Sequence, residues 1–354
     1  MVPGVIIPNG YANRDLSDRE KDILRTIIHM YILNASPVGS RALSKYLEHE
    51  LKLSPATIRN VMSDLEEMEL ISHPHTSAGR VPTDKGYRFY VDTLMHEETL
   101  SKSVRDTVKD NLITSENEAM LKDASKLLGL LSNCLAIVEI PHLVNLIVRK
   151  IEFVRISSTR LLSVIALESE IVRTVTIETE FEIEQKELER ITSMINEKIS
   201  GRTLKFIEEN FSSLISDSIY SKTPLVRLFV NSIDRLFDTG YYQDRLHITG
   251  TQNLLEYPEF EDLSRVRSVI ELVENEDIIV HVLDKFEGDT NSYNILIGKE
   301  MGAKQLEDYS LISTRYSIGS AKGSIGLIGP KRMNYSHLTS LVQYVGSKVT
   351  EKNR

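Results

Sequence analysis

The stretch from Ser54 to Asp92 constrains this chain more than any other. Ser54-Pro55-Ala56-Thr57-Ile58-Arg59-Asn60 opens with a serine suited to an N-cap and a proline at the first helical position, where a missing N–H leaves no bond unmade. Ile58, Met62 and Leu65 recur at helical spacing and mark a core-facing stripe. Ala56, Thr57, Arg59, Asn60 and Ser63 fall on the opposite stripe. They are short or fork-shaped groups, fit for a helix laid into a major groove. A hairpin is expected next. Ile71 and the residues before His75 form one strand, and Arg80-Val81-Pro82 begins the return. Thr76-Ser77-Ala78-Gly79 supplies the turn, with Gly79 able to take a positive φ. Thr83 to Tyr90 then begins another helix, leading out through Val91 and Leu94.

The residues upstream fit the same plan. Ser17-Asp18-Arg19-Glu20 is a capping box, followed by the helical stripe Ile23, Leu24, Ile27, Ile28 and Tyr31. Pro37-Val38-Gly39-Ser40-Arg41 breaks the chain and starts a second short helix, with Leu43, Tyr46 and Leu47 as its expected apolar contacts. Three short helices followed by a hairpin make a winged helix-turn-helix. Ser40 and Arg41 fit two readings: a plain helix start, or a phosphate clamp built from a helix N-terminus and a nearby cation. Arg80, beside the hairpin tip, is placed to reach a phosphate or a minor groove. Arg59 on guanine or Asn60 on adenine would each contribute about 1–3 kcal/mol of discrimination, and which of them reaches a base stays open. His73 and His75 flank Pro74; with no cysteine or carboxylate at ligand spacing, structural or wing-contact roles fit better than metal binding.

At 354 residues the chain is long enough for two or three domains with separate cores. Its formal charge of -9 argues against indiscriminate nucleic-acid binding. Even residues 40–90 balance, with seven Lys/Arg against seven Asp/Glu, so phosphate contacts depend on where the cations sit. Modest non-specific affinity and two DNA-binding units per complex are expected. Cys134 is the one cysteine, which excludes an intrachain disulfide and a multi-cysteine metal site. It lies in the apolar run Leu130 to Ile140, so a buried thiol is expected. No run approaches the ~20 apolar residues of a membrane span. Val2 to Pro8 lacks a basic flank and makes a poor signal peptide, so a cytoplasmic protein is expected. Gly319 to Gly326 fits neither the Walker nor the dinucleotide spacing and reads as a turn between strands. Glu178 and Glu180 alternate with apolar residues as solvent-facing strand positions do. Without a nucleophile, metal set or cofactor loop the sequence makes no case for an enzyme, and no cofactor is expected.

Residues 96–120 are polar and read as a linker helix. Leu121 to Leu131 reads as helix and Leu135 to Val138 as a buried strand, and the β-branched runs Ile147–Ile156, Leu161–Leu167 and Ile171–Ile177 as strands. Two helical stripes follow: Leu188, Ile191, Ile195 and Ile199, then Leu225, Leu228, Phe229, Ile233 and Leu236. After Gly240, strands are expected at Leu246–Ile248, Ile278–Leu283, Tyr293–Ile297, Leu311–Tyr316 and Ser324–Ile328, with a helix at Glu261–Glu274. Strands, helices and strands again suggest an α+β chain whose sheet domain is interrupted by a helical insertion.

Pro37-Val38-Gly39-Ser40-Arg41, Ser54 to Asn60 and Pro74-His75-Thr76-Ser77-Ala78-Gly79-Arg80-Val81-Pro82-Thr83 together resemble the HrcA family of heat-inducible transcription repressors. The resemblance returns in Asn253-Leu254 with Pro258-Glu259-Phe260, in Ile297-Gly298-Lys299-Glu300 and in Gly326 to Met333, so it spans roughly residues 16–345. It implies a GAF-like sheet domain over 121–180 and 241–345, an inserted dimerising domain over 181–240 and a winged helix-turn-helix over 16–95. It further implies a homodimer on an inverted-repeat DNA operator, CIRCE, upstream of chaperone genes, with the GroEL chaperonin assisting. The DNA-binding residues it points to are Ser40, Arg41, Ser54, Ala56, Thr57, Arg59, Asn60, Ser63, His75, Thr76, Ser77 and Arg80. A second reading is a winged-helix regulator governed by a small effector in the sheet domain, although no cluster of converging polar residues supports it. Two departures stand out. Glu69 stands where the family usually has a glycine ending the recognition helix, so that helix is expected to stop by another route. Residues 1–15 match nothing assignable.

Overall fold

The computed structural model describes residues 15–48, 53–74, 79–114, 117–141, 146–168, 172–216, 223–233, 236, 245–260, 263–285, 292–319 and 321–352. The N-terminal head contains α1 (Asp18–Asn34), α2 (Ser40–Tyr46), α3 (Pro55–Glu67), a hairpin of β1 (Ile71–Ser72) and β2 (Val81–Pro82), and α4 (Asp84–Phe89), which runs into a π-helical turn at Tyr90–Leu94. The expected capping box forms: the Ser17 side chain accepts from the Glu20 amide, and the Glu20 carboxylate accepts from the Ser17 amide. Ile23, Leu24, Ile27, Ile28, Leu43, Leu47, Ile58, Val61, Met62 and Leu65 meet in one buried core. Tyr46, expected in that core, is instead 52% exposed and tilts against the His29 ring. A helix of seven residues buries one narrow stripe, and Leu43 and Leu47 already fill it.

Helices α5 (Lys102–Thr114) and α6 (Asn117–Ser132) lead to the body. Its sheet is antiparallel throughout, in the order β7-β3-β10-β9-β8, with β3 Leu135–Glu139, β7 Leu246–Thr249, β8 Tyr293–Ile297, β9 Tyr309–Ile318 and β10 Ala321–Pro330. Alternate residues serve two cores, as the two-residue period of a strand requires. Ala136, Val138, Ile312, Tyr316, Ile325 and Leu327 pack with α5, α6, the C-terminal helix Tyr335–Lys352 and the head. Leu135, Ile137, Leu311 and Ile328 face the opposite layer. Three helices form that layer: α10 (Thr251–Leu255), α11 (Leu263–Glu274) and α12 (Glu276–Asp284). The C-terminal helix is α13. Helices thus cover both faces of one antiparallel sheet, an α+β layout.

The run Ile278 to Leu283, expected as a strand, lies in α12. Glu276 and Asp277 occupy its first turn, where the helix dipole favours acids, and Ile279, Val280, Val282 and Leu283 are all buried. A short helix buried on most sides has no polar stripe to betray its period, so it reads like a core strand.

The insertion also differs from expectation. Strands β4 (Val148–Ser157), β5 (Arg160–Leu167) and β6 (Val172–Glu178) form a separate three-stranded sheet. It shares a core with α7 (Gln185–Ile199), α8 (Leu204–Ser216) and α9 (Pro224–Asn231), centred on Phe153 stacked 4.1 Å from Phe229. The unit leaves the large sheet at the end of β3 and returns at the start of β7, where Glu139 pairs with Leu246 and the Ile140 amide bonds the Arg245 carbonyl at 2.9 Å. The inserted unit is therefore sheet and helices together, and the boundary expected at 181 cuts through it. Among the described residues no helix is long and apolar enough to cross a membrane.

Candidate nucleic-acid interface

Helix α3 begins as its sequence dictates. The Ser54 hydroxyl accepts the Thr57 amide at 3.1 Å, with Pro55 in the first turn. Ser54 and Thr57 are thereby tied to each other, at 2.9 Å between their hydroxyls. Ile58, Val61, Met62 and Leu65 are buried, so the helix presents Ala56, Arg59, Asn60 and Ser63 outward, with Thr57 half-buried at the edge. In the preceding helix Gly39 is the N-cap, Ser40 is half-buried at the first helical position and Arg41 is exposed. The turn between α2 and α3 is closed by the Ser44 hydroxyl on the Leu53 carbonyl at 2.8 Å.

Ion pairing sorts the balanced charges of the head. Arg80 pairs with Glu66 at 2.8 Å and Lys85 with Glu69 at 3.3 Å, while Arg88 binds Asp92 and Glu300. Among the described residues Arg41, Lys45 and Arg59 carry no ion pair. The exposed stripe of α3 and the two ends of α2 thus hold the cations left over for phosphates or base edges. His75, Thr76 and Ser77 lie outside the described residues. His73 bonds Glu66 through Nδ1, and among the described residues no His/Cys/Asp/Glu group could hold a metal ion.

Two turns depart from the sequence reading. At Gly79 the constraint is the space around the residue. A Cβ there would lie 2.5 Å from the Val38 carbonyl carbon and oxygen, so glycine is required by close approach. That approach brings Val38 and Arg80 into a two-way backbone pair, with N···O of 2.8 and 2.9 Å. Helix α3 does not stop by another route at Glu69. Glu69 itself takes the left-handed conformation, φ 61°, and the Leu70 amide reaches the Leu65 carbonyl while the Glu69 amide reaches Glu66. This is the Schellman pattern glycine usually serves. It is held here by the Thr83 hydroxyl on the Glu69 carbonyl and by Lys85 on its side chain.

The sequence reading missed the residues that fix the head to the body. Arg88 Nε donates to Glu300 at 2.9 Å, its Nη2 meets both Glu300 and the Ile295 carbonyl, and its Nη1 meets Asp92 at 3.1 Å. Lys331 pairs with Asp84 at 2.7 Å, and Gly298, φ +54°, leaves room for that carboxylate. Arg332 binds Glu259, donates to the Ile32 carbonyl at 3.2 Å and lies 5.2 Å from the Tyr257 ring centre. Tyr87 packs on Tyr335, and burial pushes its hydroxyl well above the usual tyrosine range. Burial likewise raises Asp92, against the pull of Arg88. The one available signal was that Pro258–Phe260, Ile297–Glu300 and Gly326–Met333 were motifs without a chemistry of their own.

Residues 15–94 match the family described as winged helix-turn-helix transcription repressor, HrcA DNA-binding, and residues 118–338 match the HrcA protein C terminal domain. A heat-inducible transcription repressor HrcA of Chlorobium chlorochromatii is 37% identical over 341 residues, covering 95% of this chain and 97% of that one. One from Chlorobium phaeobacteroides is 36% identical over 348 residues, covering 95% and 98%. A crystal structure titled as a hypothetical protein superposes with a TM-score of 0.68 at 27% identity, over 96% of this chain and 98% of the other. With both halves of the chain matched and the winged head in place, this chain belongs to the HrcA family of heat-inducible transcription repressors.

Proposed function

We propose that the protein acts as a homodimer that lays one winged head on each half of the inverted-repeat operator CIRCE, upstream of class I heat-shock chaperone genes. The observation that carries this reading is the outward stripe Ala56, Arg59, Asn60 and Ser63, beside Arg41 and free of acidic partners among the described residues. Ser54 caps the helix beside Thr57 and Ser40 joins the same contact set, while Arg80 is engaged by Glu66; His75, Thr76 and Ser77, outside the described residues, are contacts proposed from the sequence alone. Two-fold symmetry requires half-sites on one face of the duplex, about 10.5 bp or a multiple apart. A chain of net charge -9 gains little from bulk attraction, so joining two heads supplies affinity that one head lacks. The inserted unit is the pairing element. Val154, Ile156 and Val172 stand exposed on its three-stranded sheet, an apolar surface that association would cover.

The GroEL chaperonin brings the repressor to its DNA-binding state. When unfolded protein occupies the chaperonin, the repressor stays inactive and chaperone transcription rises. Footprinting the purified protein on the DNA upstream of its host's chaperone operon, before and after heating and with or without GroEL, tests the whole reading. The expected result is a protected inverted repeat, lost on heating and restored by chaperonin. Full protection after heating without chaperonin would refute the chaperonin step, and absence of any protected repeat would refute the operator.

A further inference from the structure

We propose that Glu66 is a positioning residue for DNA reading, which holds the wing base against the recognition helix and keeps the charge of Arg80 off the phosphates. This rests on the operator-binding reading above. Glu66 follows Arg59 by seven residues, nearly two turns, so the two share a flank of α3 about 10.5 Å apart along the axis. On that flank both oxygens of Glu66 are engaged. Oε1 meets His73 Nδ1 on the outgoing arm of the wing, and Oε2 meets an Arg80 Nη at 2.8 Å on the returning arm. One carboxylate therefore grips both arms of the hairpin just below its tip.

Arg80 is fixed from the other side as well. Its amide and carbonyl are paired with Val38, two residues before α2, and Gly79 permits that approach. The backbone of Arg80 is thus tied to the entry of α2 and its side chain to the flank of α3. The Arg80 side chain is only 17% exposed, and its Nε is buried without a hydrogen-bond partner among the described residues. A guanidinium serving mainly as a phosphate contact would be left outward. Here it is drawn inward and neutralised, so the wing gains a fixed angle at the expense of non-specific attraction. The same pair cancels an acid that would otherwise stand beside the Arg59 flank and repel the DNA backbone.

The test uses the full-length protein, a duplex carrying the protected inverted repeat and a random duplex of equal length, with anisotropy titrations over a range of KCl. In Glu66→Gln the charge that restrains Arg80 is gone. Binding to random DNA should tighten, and its salt slope should steepen by about one unit as Arg80 gains a phosphate. The ratio of operator to random affinity should fall about tenfold, the weight of one displaced base contact. In Arg80→Gln the ratio should also fall, but random binding should weaken, because Glu66 is left uncompensated. The double variant should return to the wild-type salt slope. A Glu66→Gln protein with wild-type ratio and slope overturns the proposal. If that variant does not fold by circular dichroism, Arg80→Gln decides: a wild-type ratio overturns the proposal, and a fall in both quantities supports it. Wild-type protein that does not distinguish the two duplexes would instead refute the operator-binding reading, so the two failures are separable.

Discussion

Arg88 is the side chain whose loss should damage the junction between head and body most, and the structure allows the effect to be sized. Its guanidinium serves Glu300, Asp92 and the Ile295 carbonyl at once. The three charged side chains are 17%, 27% and 19% exposed, so they stand between a surface pair and a sealed one. Removing one partner of a fully buried pair costs about 3–5 kcal/mol, and exposed pairs contribute about 0–1 kcal/mol. Arg88→Met, which keeps the apolar stem, should therefore destabilise by ~2 kcal/mol, mostly because two carboxylates are left without a cation. Glu300→Gln on top of it removes one of those orphan charges, so the double variant should be more stable than the sum of the singles by at least ~1 kcal/mol. The pH dependence supplies a second reading. Asp92 already sits above the usual carboxylate range through burial, and Arg88 is what pulls it down. Without Arg88 the folded state holds the Asp92 proton still more tightly than the unfolded chain does. Stability of Arg88→Met should then fall, relative to wild type, as pH rises through the interval between the unfolded and folded pKa, and recover towards acid. Urea denaturation of the four proteins across pH measures both effects. Strict additivity together with a pH-independent difference would refute the argument.

Glu69→Gly should stabilise the head by ~0.5–1 kcal/mol in the same urea assay, because it relieves a left-handed residue and its Lys85 pair is exposed on the acid side; a loss of stability would mean that Lys85 or the unfolded-state entropy of glycine dominates. Gly79→Ala should cost ~2 kcal/mol, since the new methyl meets the Val38 backbone at 2.5 Å, and should weaken operator binding with it. Cys134 is buried and its thiol is pushed up to about 11. Alkylation at pH 8 should consequently be slow in the native protein and rapid in urea, and fast native labelling would contradict the burial. Arg59→Ala should reduce operator affinity about 5- to 150-fold more than random-DNA affinity if it reads a base; an equal loss with a shallower salt slope would mark it as a phosphate contact.

What was legible in the sequence was local. The caps at Ser17 and Ser54 form from residues three apart, so spelling and structure coincide. The long stripes of α1, α3 and α7 face cores because a 3.6-residue period leaves no alternative. Where the deciding partner was distant, the reading ran out. Strand β5 alternates in burial while β3, β9 and β10 are buried almost throughout, yet all of them read simply as strands in the sequence, and only pairing reveals two sheets. Ile278 to Leu283 is β-branched and apolar, yet its surroundings make it a helix. For the candidate site, the outward stripe of α3 was readable, but the roles of Glu66 and Arg80 depend on a fold-back of the wing.

The C-terminal motifs make the same point in the opposite direction. Gly298, Glu300, Lys331 and Arg332 make no contact with the outward stripe of α3; they receive Asp84, Arg88 and the Ile32 carbonyl. They come from two loops at one end of the large sheet, after β8 and after β10, and so present a single rigid platform. A head resting on that platform by charge-assisted bonds is oriented more narrowly than apolar packing alone would hold it, because guanidinium and carboxylate planes must match. An inverted repeat tolerates little error in that orientation. Half-sites lie about 34–36 Å apart for each helical turn, so a small rotation of either head at its base displaces its recognition helix from the groove. On the inverted-repeat operator proposed above, repression would depend on the platform as well as on the reading helix, and motifs of equal prominence at the two ends of the chain are what that reading requires.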